Sequence, residues 1–215
     1  MNTDLLSDSN VKKQILPVPR EWCTSDGRTP LAAFVNFVHP VSDALLNYID
    51  AHCFAHTIEK GKLLLKAGEI CHHMYFIRKG VFRGFVKEGS KEITTWITAE
   101  NEIIASIRGI SQQLPSIENI QAIEDCELIG GSFEQLEFLY ENYPEMNIVS
   151  RKLLTQYYAD AEERAYISRL TKANSRYKHF ISTKGQLVNR IPLRYIASYL
   201  GMTLETLSRT RSKMR

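Results

Sequence analysis

Between Ile191 and Arg215 the chain reads IPLRYIASYLGMTLETLSRTRSKMR, whose apolar spacing fits two short helices meeting at a tight corner. Pro192 suits the first position of a helix, because it has no N–H to leave unsatisfied and its φ is already helical. Ile196, Ala197 and Leu200 then fall on one side, and Gly201 takes the corner. Thr203 is an N-cap for a second helix, and Leu207, four residues on, faces back toward the first. Ala197 is small where two steeply crossing helices need close approach, and Leu200, Met202 and Leu207 complete a miniature core. Leu204, Glu205, Ser208, Arg209 and Arg211 are left facing outward, with Lys213 and Arg215 beyond them. Arginine forks onto the O6 and N7 of guanine, glutamate accepts from the cytosine amino group, and serine reaches phosphate. The pattern is that of a helix-turn-helix facing DNA. A basic hairpin that merely aids solubility would need neither the corner glycine nor the small crossing residue.

Charge is partitioned in the same sense. Residues 1–150 carry 13 Lys and Arg against 20 Asp and Glu, whereas residues 151–215 carry 14 against 4, so net charge passes from −7 to +10 along the chain. The C-terminal part is the end that meets a polyanion, with counterion release supplying salt-dependent affinity. A membrane surface would attract the same charge. No segment is long and apolar enough to span a bilayer, however, and the polar opening MNTDLLSDSN lacks the pattern of a signal peptide. A cytoplasmic protein with no membrane partner is expected. Cys23, Cys53, Cys71 and Cys126 form no C-x-x-C pair. Cys71, His72 and His73 are adjacent, but adjacent strand residues point to opposite faces, so no metal site and no cofactor is expected.

From about Phe54 to Ser132 short alternating or β-branched runs are separated by turn signals, which makes them strands. Glu88-Gly89-Ser90-Lys91 is a hairpin corner, and Gly80 and Gly84 stand where a closely packed sheet needs bends or missing side chains. Many short strands with regular turns predict a jelly-roll-like barrel or sandwich. After Ser132, a helix cap, the period becomes helical. Pro144 opens a run of about seven turns without Gly or Pro, roughly 40 Å long at the standard rise. Along it Leu154, Tyr158, Ala161, Ala165 and Ser168 recur at spacings of four, three, four and three, a seam suited to a second copy of the same helix or to the chain's own barrel. PLAAFVNFVHPVSDALLNYIDAH, from Pro30, predicts short helices covering the open end of the barrel. The turn-rich VPREWCTSDGRTP before it has Trp22 as its one large anchor. The fold class is α+β: a jelly-roll-like β-roll, a long helix and a small C-terminal helical unit.

In this order the elements resemble the Crp/Fnr bacterial transcription regulators. The carrying residues are the GKLLLKAGEICHHMYFIRKGVFRGF block, Glu92-Ile93-Thr94-Thr95-Trp96 after the hairpin, Ala122-Ile123-Glu124-Asp125-Cys126-Glu127 before the final strand, and Tyr195 to Arg209. The resemblance runs from about Val41 to Arg215. It implies an N-terminal extension over residues 1–40 and a cyclic-nucleotide-binding-like β-roll effector domain over 41–143. A long dimerisation helix over 144–170 and a helix-turn-helix DNA-binding domain over 171–215 complete it. It further implies a homodimer on double-stranded DNA with a roughly palindromic operator, and RNA polymerase as a further partner. In the family a Glu and an Arg four residues later read base edges, and Glu205 and Arg209 occupy those positions. The Arg usual before that Glu is Leu204 here, so an altered operator is expected.

Two departures matter. Nucleotide-binding members of that family hold the cyclic phosphate with a Gly-Glu segment and an Arg followed by Ser or Thr, where this chain has Ala105-Ser106 and Ser116-Ile117. Losing the Arg from a partly buried site removes a charge-assisted interaction of about 1.5–3 kcal/mol, so cyclic AMP in the usual mode is not expected. Arg83 or Arg108 is left as a substitute cation for another anionic ligand, surface exposure being the plainer role for each. The chain also ends at Arg215 without the β-hairpin wing of many relatives. Its phosphate contacts are then expected to come from Arg190, Arg194, Arg211, Lys213 and Arg215, with Thr203 and Ser208. The expected protein is a transcription regulator and not an enzyme. One rival is a cupin-like metalloenzyme, which needs a His-x-His with a downstream carboxylate that His72-His73 does not supply. The other is a β-roll interaction module that does not bind DNA.

Overall fold

The computed structural model describes residues 16–214; the extension before residue 16 and Arg215 of the basic end lie outside the described residues. Two helices come first, α1 (Pro30–Val38) and α2 (Asp43–His52), capped by the hydroxyls of Thr29 and Ser42, which accept from the Ala32 and Leu45 N–H groups. Eight strands follow: β1 (Phe54–Ile58), β2 (Leu63–Leu65), β3 (His73–Lys79), β4 (Phe82–Glu88), β5 (Lys91–Thr98), β6 (Ile103–Ile104), β7 (Asn119–Ala122) and β8 (Cys126–Ser132). They form two antiparallel sheets in the orders β1-β8-β3-β6 and β2-β7-β4-β5. This is the roll of the expected α+β fold. The β4–β5 hairpin closes with Glu88 opposite Lys91, and Gly89 takes a φ of 59° in the turn. Phe54, Leu65, Tyr75, Ile77, Phe82 and Leu128 fill the interior between the sheets.

One element departs from the expected strand run. The extended chain ends at Ile104, and a short helix, α3 (Ile107–Gln112), follows. Ser106 turns the backbone, because its hydroxyl accepts from the Gly109 N–H at 3.4 Å.

Ser132 and Gln135 form a reciprocal capping box at the start of α4 (Phe133–Asn142). Pro144 then opens α5 (Pro144–Arg169), 26 residues and about 39 Å long. After a break at Leu170 come α6 (Ala173–Lys184), α7 (Leu193–Tyr199) and α8 (Leu204–Ser212). Two further cores flank the roll. Leu45, Leu46 and Ile49 of α2 and Ala32 and Val35 of α1 pack on Leu136, Leu139, Met146 and Val149 of α4 and α5. The first helices were expected to cover the open end of the roll; their buried faces meet mainly the later helices, with Met74 and Phe76 as contacts from the roll. The last core joins α5–α8 to Val81, Ile97 and Ile123 of the roll. Among the described residues no helix is long and apolar enough to cross a membrane.

Candidate DNA interface and sensor cavity

The C-terminal pair is built as its periodicity requires. Ile196, Ala197, Leu200 and Leu207 are all buried, Gly201 takes the corner with a φ of 61°, and the Thr203 hydroxyl accepts from the Thr206 N–H at 3.1 Å. Pro192 stands one place earlier than expected, as the N-cap of α7. On the opposite side of α8, Leu204, Glu205, Ser208 and Arg209 are exposed, while Arg211 is half-buried. Arg209 pairs with Glu205 at 2.9 Å, with side chains 69% and 77% exposed. Such a pair is worth about 0–1 kcal/mol, so it orients the guanidinium without holding it from a better partner. Arg194 is exposed and lies over the Tyr195 ring at 4.8 Å.

Arg190 is placed differently from the phosphate contact the sequence predicts. Its guanidinium donates to Glu100 at 2.9 and 2.5 Å and is also ion-paired to Glu124, both carboxylates belonging to the roll. Burial alone would raise the Glu100 carboxyl. Arg190 and the Gly80 N–H outweigh that and hold it at about 2. Glu100 and then Glu124 raise the Arg190 guanidinium in turn.

The predicted effector set is not brought together. Arg83 is the clearest correction: it is neither exposed nor in the roll interior. Strand neighbours alternate faces, so with Phe82 packed inward Arg83 points out of the roll, where it is 1% exposed beneath α7. Its guanidinium lies between the rings of Phe85 at 4.2 Å and Tyr195 at 3.7 Å. Ser106 caps α3, and the Ser116 hydroxyl donates to the Glu118 carbonyl at 2.8 Å. Ile117 is exposed, Arg108 also, and Ala105 and Arg83 line two separate cavities, the second formed with Glu92, Gln121, Arg194, Tyr195 and Ser198.

Trp96 and Glu118, outside the predicted site set, occupy this region. The Trp96 indole N–H donates to the Glu118 carboxylate at 3.0 Å, and the Thr95 hydroxyl donates to the same carboxylate at 3.0 Å. Gly84, directly across the hairpin from Trp96, leaves the room: a Cβ there would lie 2.2 Å from the indole. A glycine opposite a tryptophan in adjacent strands was the signal available in the sequence. Beside Trp96 a cavity of about 380 Å³ opens between the roll and α5, lined by Met74, Ile104, Ala105, Leu153 and Tyr157 among others. Glu102, Asp160, Arg164 and Lys184 also line it. Burial raises the Glu102 carboxyl, against the pull of Lys184 and Arg164. The Tyr157 hydroxyl accepts from the Ile103 N–H at 2.9 Å, tying α5 to β6, and burial pushes its pKa up to about 12.

Along α5 the stripe Leu154, Tyr158, Ala161, Ala165 and Ser168 is exposed throughout. Elsewhere, no group of three or more His, Cys, Asp or Glu side chains is placed to hold a metal ion among the described residues.

A sequence model of the cyclic nucleotide-binding domain matches residues 55–143. The anaerobic regulatory protein of Pasteurella multocida is 24% identical over 170 residues, covering 74% of this chain and 62% of the relative. The chain thus matches less than two thirds of that relative's length. Among solved structures, FixK2 of Bradyrhizobium japonicum superposes with a TM-score of 0.65 at 18% identity, covering 75% of this chain and 84% of that one. A transcriptional regulator assigned to the Crp/Fnr family from Eubacterium rectale superposes with a TM-score of 0.67 at 14% identity, covering 85% and 87%.

Proposed function

From a chain that carries a cyclic nucleotide-binding domain over residues 55–143 and has the fold of the Crp/Fnr transcription regulators, we propose a homodimeric DNA-binding transcription regulator. The observation that carries this reading is the outward face of α8. Leu204, Glu205, Ser208 and Arg209 are exposed together, on a helix whose other side is pinned by buried Leu207 and Thr210. That helix sits in the C-terminal segment, residues 151–215, with a net charge of +10. Two such helices, paired through the α5 stripe, enter successive major grooves about 34 Å apart on a roughly palindromic site. Glu205 and Arg209 read base edges, and Thr203, Ser208, Arg194, Arg211 and Lys213 meet phosphate. Leu204 offers an apolar contact such as a thymine methyl. Arg190 leaves the phosphate set, because its guanidinium is already held by two carboxylates.

Binding to random and selected duplexes at several salt concentrations tests the reading: affinity should fall linearly on a log–log plot, with a tighter sequence-selected fraction. No salt-sensitive binding to either pool would refute it. Arg209→Ala should weaken the selected site by about 1–3 kcal/mol and relax preference at one base pair, and an unchanged preference would remove Arg209 from base reading.

The sensor does not take cyclic AMP in the usual mode. The positions matching the family's phosphate-holding residues lack its Arg, and the neighbouring Glu118 carboxylate repels an anion while it holds Trp96. The largely apolar cavity beside Trp96 suits a neutral, apolar effector instead. A saturating ligand at a hundred times its Kd stabilises by about 2.7 kcal/mol, a shift of several degrees. Millimolar cyclic AMP should leave both Tm and operator affinity unchanged, and a rise in either would restore the nucleotide as effector.

A further inference from the structure

The C-terminal unit is docked on the roll through paired polar groups. β5 is an edge strand of its sheet, so one side of its backbone has no ladder to join. Ser198 of α7 serves that edge: its hydroxyl accepts from the Thr94 N–H at 2.9 Å and donates to the Glu92 carbonyl at 3.1 Å. Beside it, Arg83 reaches across from β4. Its Nε donates to Gln121 at 2.8 Å, its Nη1 approaches the Thr94 hydroxyl at 3.4 Å, and its Nη2 pairs with Glu92. Tyr195 of α7 closes over the guanidinium. At the other end of the contact Arg190 bridges Glu100 and Glu124, and Val81, Ile97 and Ile123 enter the C-terminal core.

A charge buried to 1% exposure is tolerable only while its donors are satisfied and its faces covered. Lifting α7 away would uncover Arg83 and leave the Thr94 N–H without its acceptor. The docked arrangement is therefore one defined position rather than a range of poses. It covers none of the reading face, since Glu205 and Arg209 remain exposed.

We infer that Ser198 and Arg83 form an interdomain latch that positions the DNA-reading helix relative to α5, and that this latch favours binding to two half-sites at once. The inference rests on the dimeric DNA-binding reading above. A palindrome must be met by two reading helices at one separation. If each hung from the short Leu170–Lys172 connection alone, ordering both would subtract from affinity. With the latch closed, that ordering is present before DNA arrives. A single half-site imposes no such separation, so the latch has no bearing on it.

The test uses the full chain with Ser198→Ala, Ser198→Thr and Arg83→Met. Hydrogen exchange at the Thr94 amide reads the latch without DNA, as does the distance distribution between spin labels at Ser90 and Ser212. Ser198→Ala should speed Thr94 exchange at least tenfold and broaden the distribution, and Ser198→Thr, which keeps the hydroxyl, should restore both. Affinity for the full palindrome should fall at least tenfold in Ser198→Ala and Arg83→Met, while affinity for a single half-site stays unchanged. Unaltered exchange would overturn the latch. Equal losses on both DNAs would overturn the positioning role, and a gain on the palindrome would make the contact inhibitory and overturn it as well. Should no variant nor the parent chain bind DNA while the exchange response persists, the DNA-binding reading fails and the interdomain contact stands. Should Arg83→Met fail to fold, the two Ser198 variants still decide the matter.

Discussion

Tyr158→Glu combined with Ala165→Glu should convert the proposed dimer to a monomer and lower affinity for the full palindrome by about 10²–10⁴, down to that of a single half-site. The two positions lie seven residues apart on α5, on one exposed stripe with Leu154, Ala161 and Ser168. In a symmetric pair each introduced carboxylate faces its own copy across the axis, and burying like charges opposes association. Tyr158 is 67% exposed within the chain, so folding of the single chain should change by no more than about 0.5 kcal/mol. Sedimentation at micromolar concentration and urea unfolding of the same samples separate the two effects. A variant that stays dimeric would place the subunit contact elsewhere.

Gly80→Ala should cost roughly 2–6 kcal/mol of stability, the sum of backbone strain and overpacking. Gly80 has a φ of 118°, and a Cβ there would lie 2.2 Å from Cys126 Sγ and 3.0 Å from Cys126 Cα. The sulfur can turn aside, but the β8 backbone at Cys126 cannot without disturbing its pairing with Ile58 of β1. The same residue donates its N–H to Glu100, which in turn holds Arg190. The change therefore strikes the roll and its contact with the C-terminal unit together. Gly68→Ala is the control: its φ is 92°, yet nothing lies within 4 Å of the added carbon, so only the strain remains. Against a total stability of about 5–15 kcal/mol, the Gly80 variant should show a clearly lowered urea midpoint and the Gly68 variant a smaller shift. Equal midpoints would mean that the collision with Cys126 relaxes freely.

Several parts of the fold were legible because their causes are local. The hairpin at Glu88–Lys91, the Ser132 cap, the proline that opens α5 and the Thr203 cap each depend on residues within a few positions of one another. The α8 face was legible for a related reason: a helix of known period, with Leu207 inward, leaves only one side for Glu205 and Arg209. Helix α3 was missed although Ser106 can cap it, because a six-residue helix between strands carries too little periodicity to stand out.

The effector set was less legible, since matching positions along the chain do not say what fills the space between them. Ser106 and Ser116 serve local turns, and Glu118, two residues beyond Ser116, holds the Trp96 indole. That pair spans 22 residues and forms only once β4, β5 and β7 are in register.

The sequence by itself determined the alternation of strands and helices, the amphipathic seam of α5 and the basic character of the C-terminal third. These follow from side-chain periodicity and charge, which are properties of contiguous residues. Tertiary structure alone decided the fate of the arginines. Arg190 meets Glu100 across 90 residues of chain, and Ser198 meets Thr94 across 104. A guanidinium is equally suited to a phosphate and to a pair of carboxylates, and only the packing of the last helices on the roll determines which it meets.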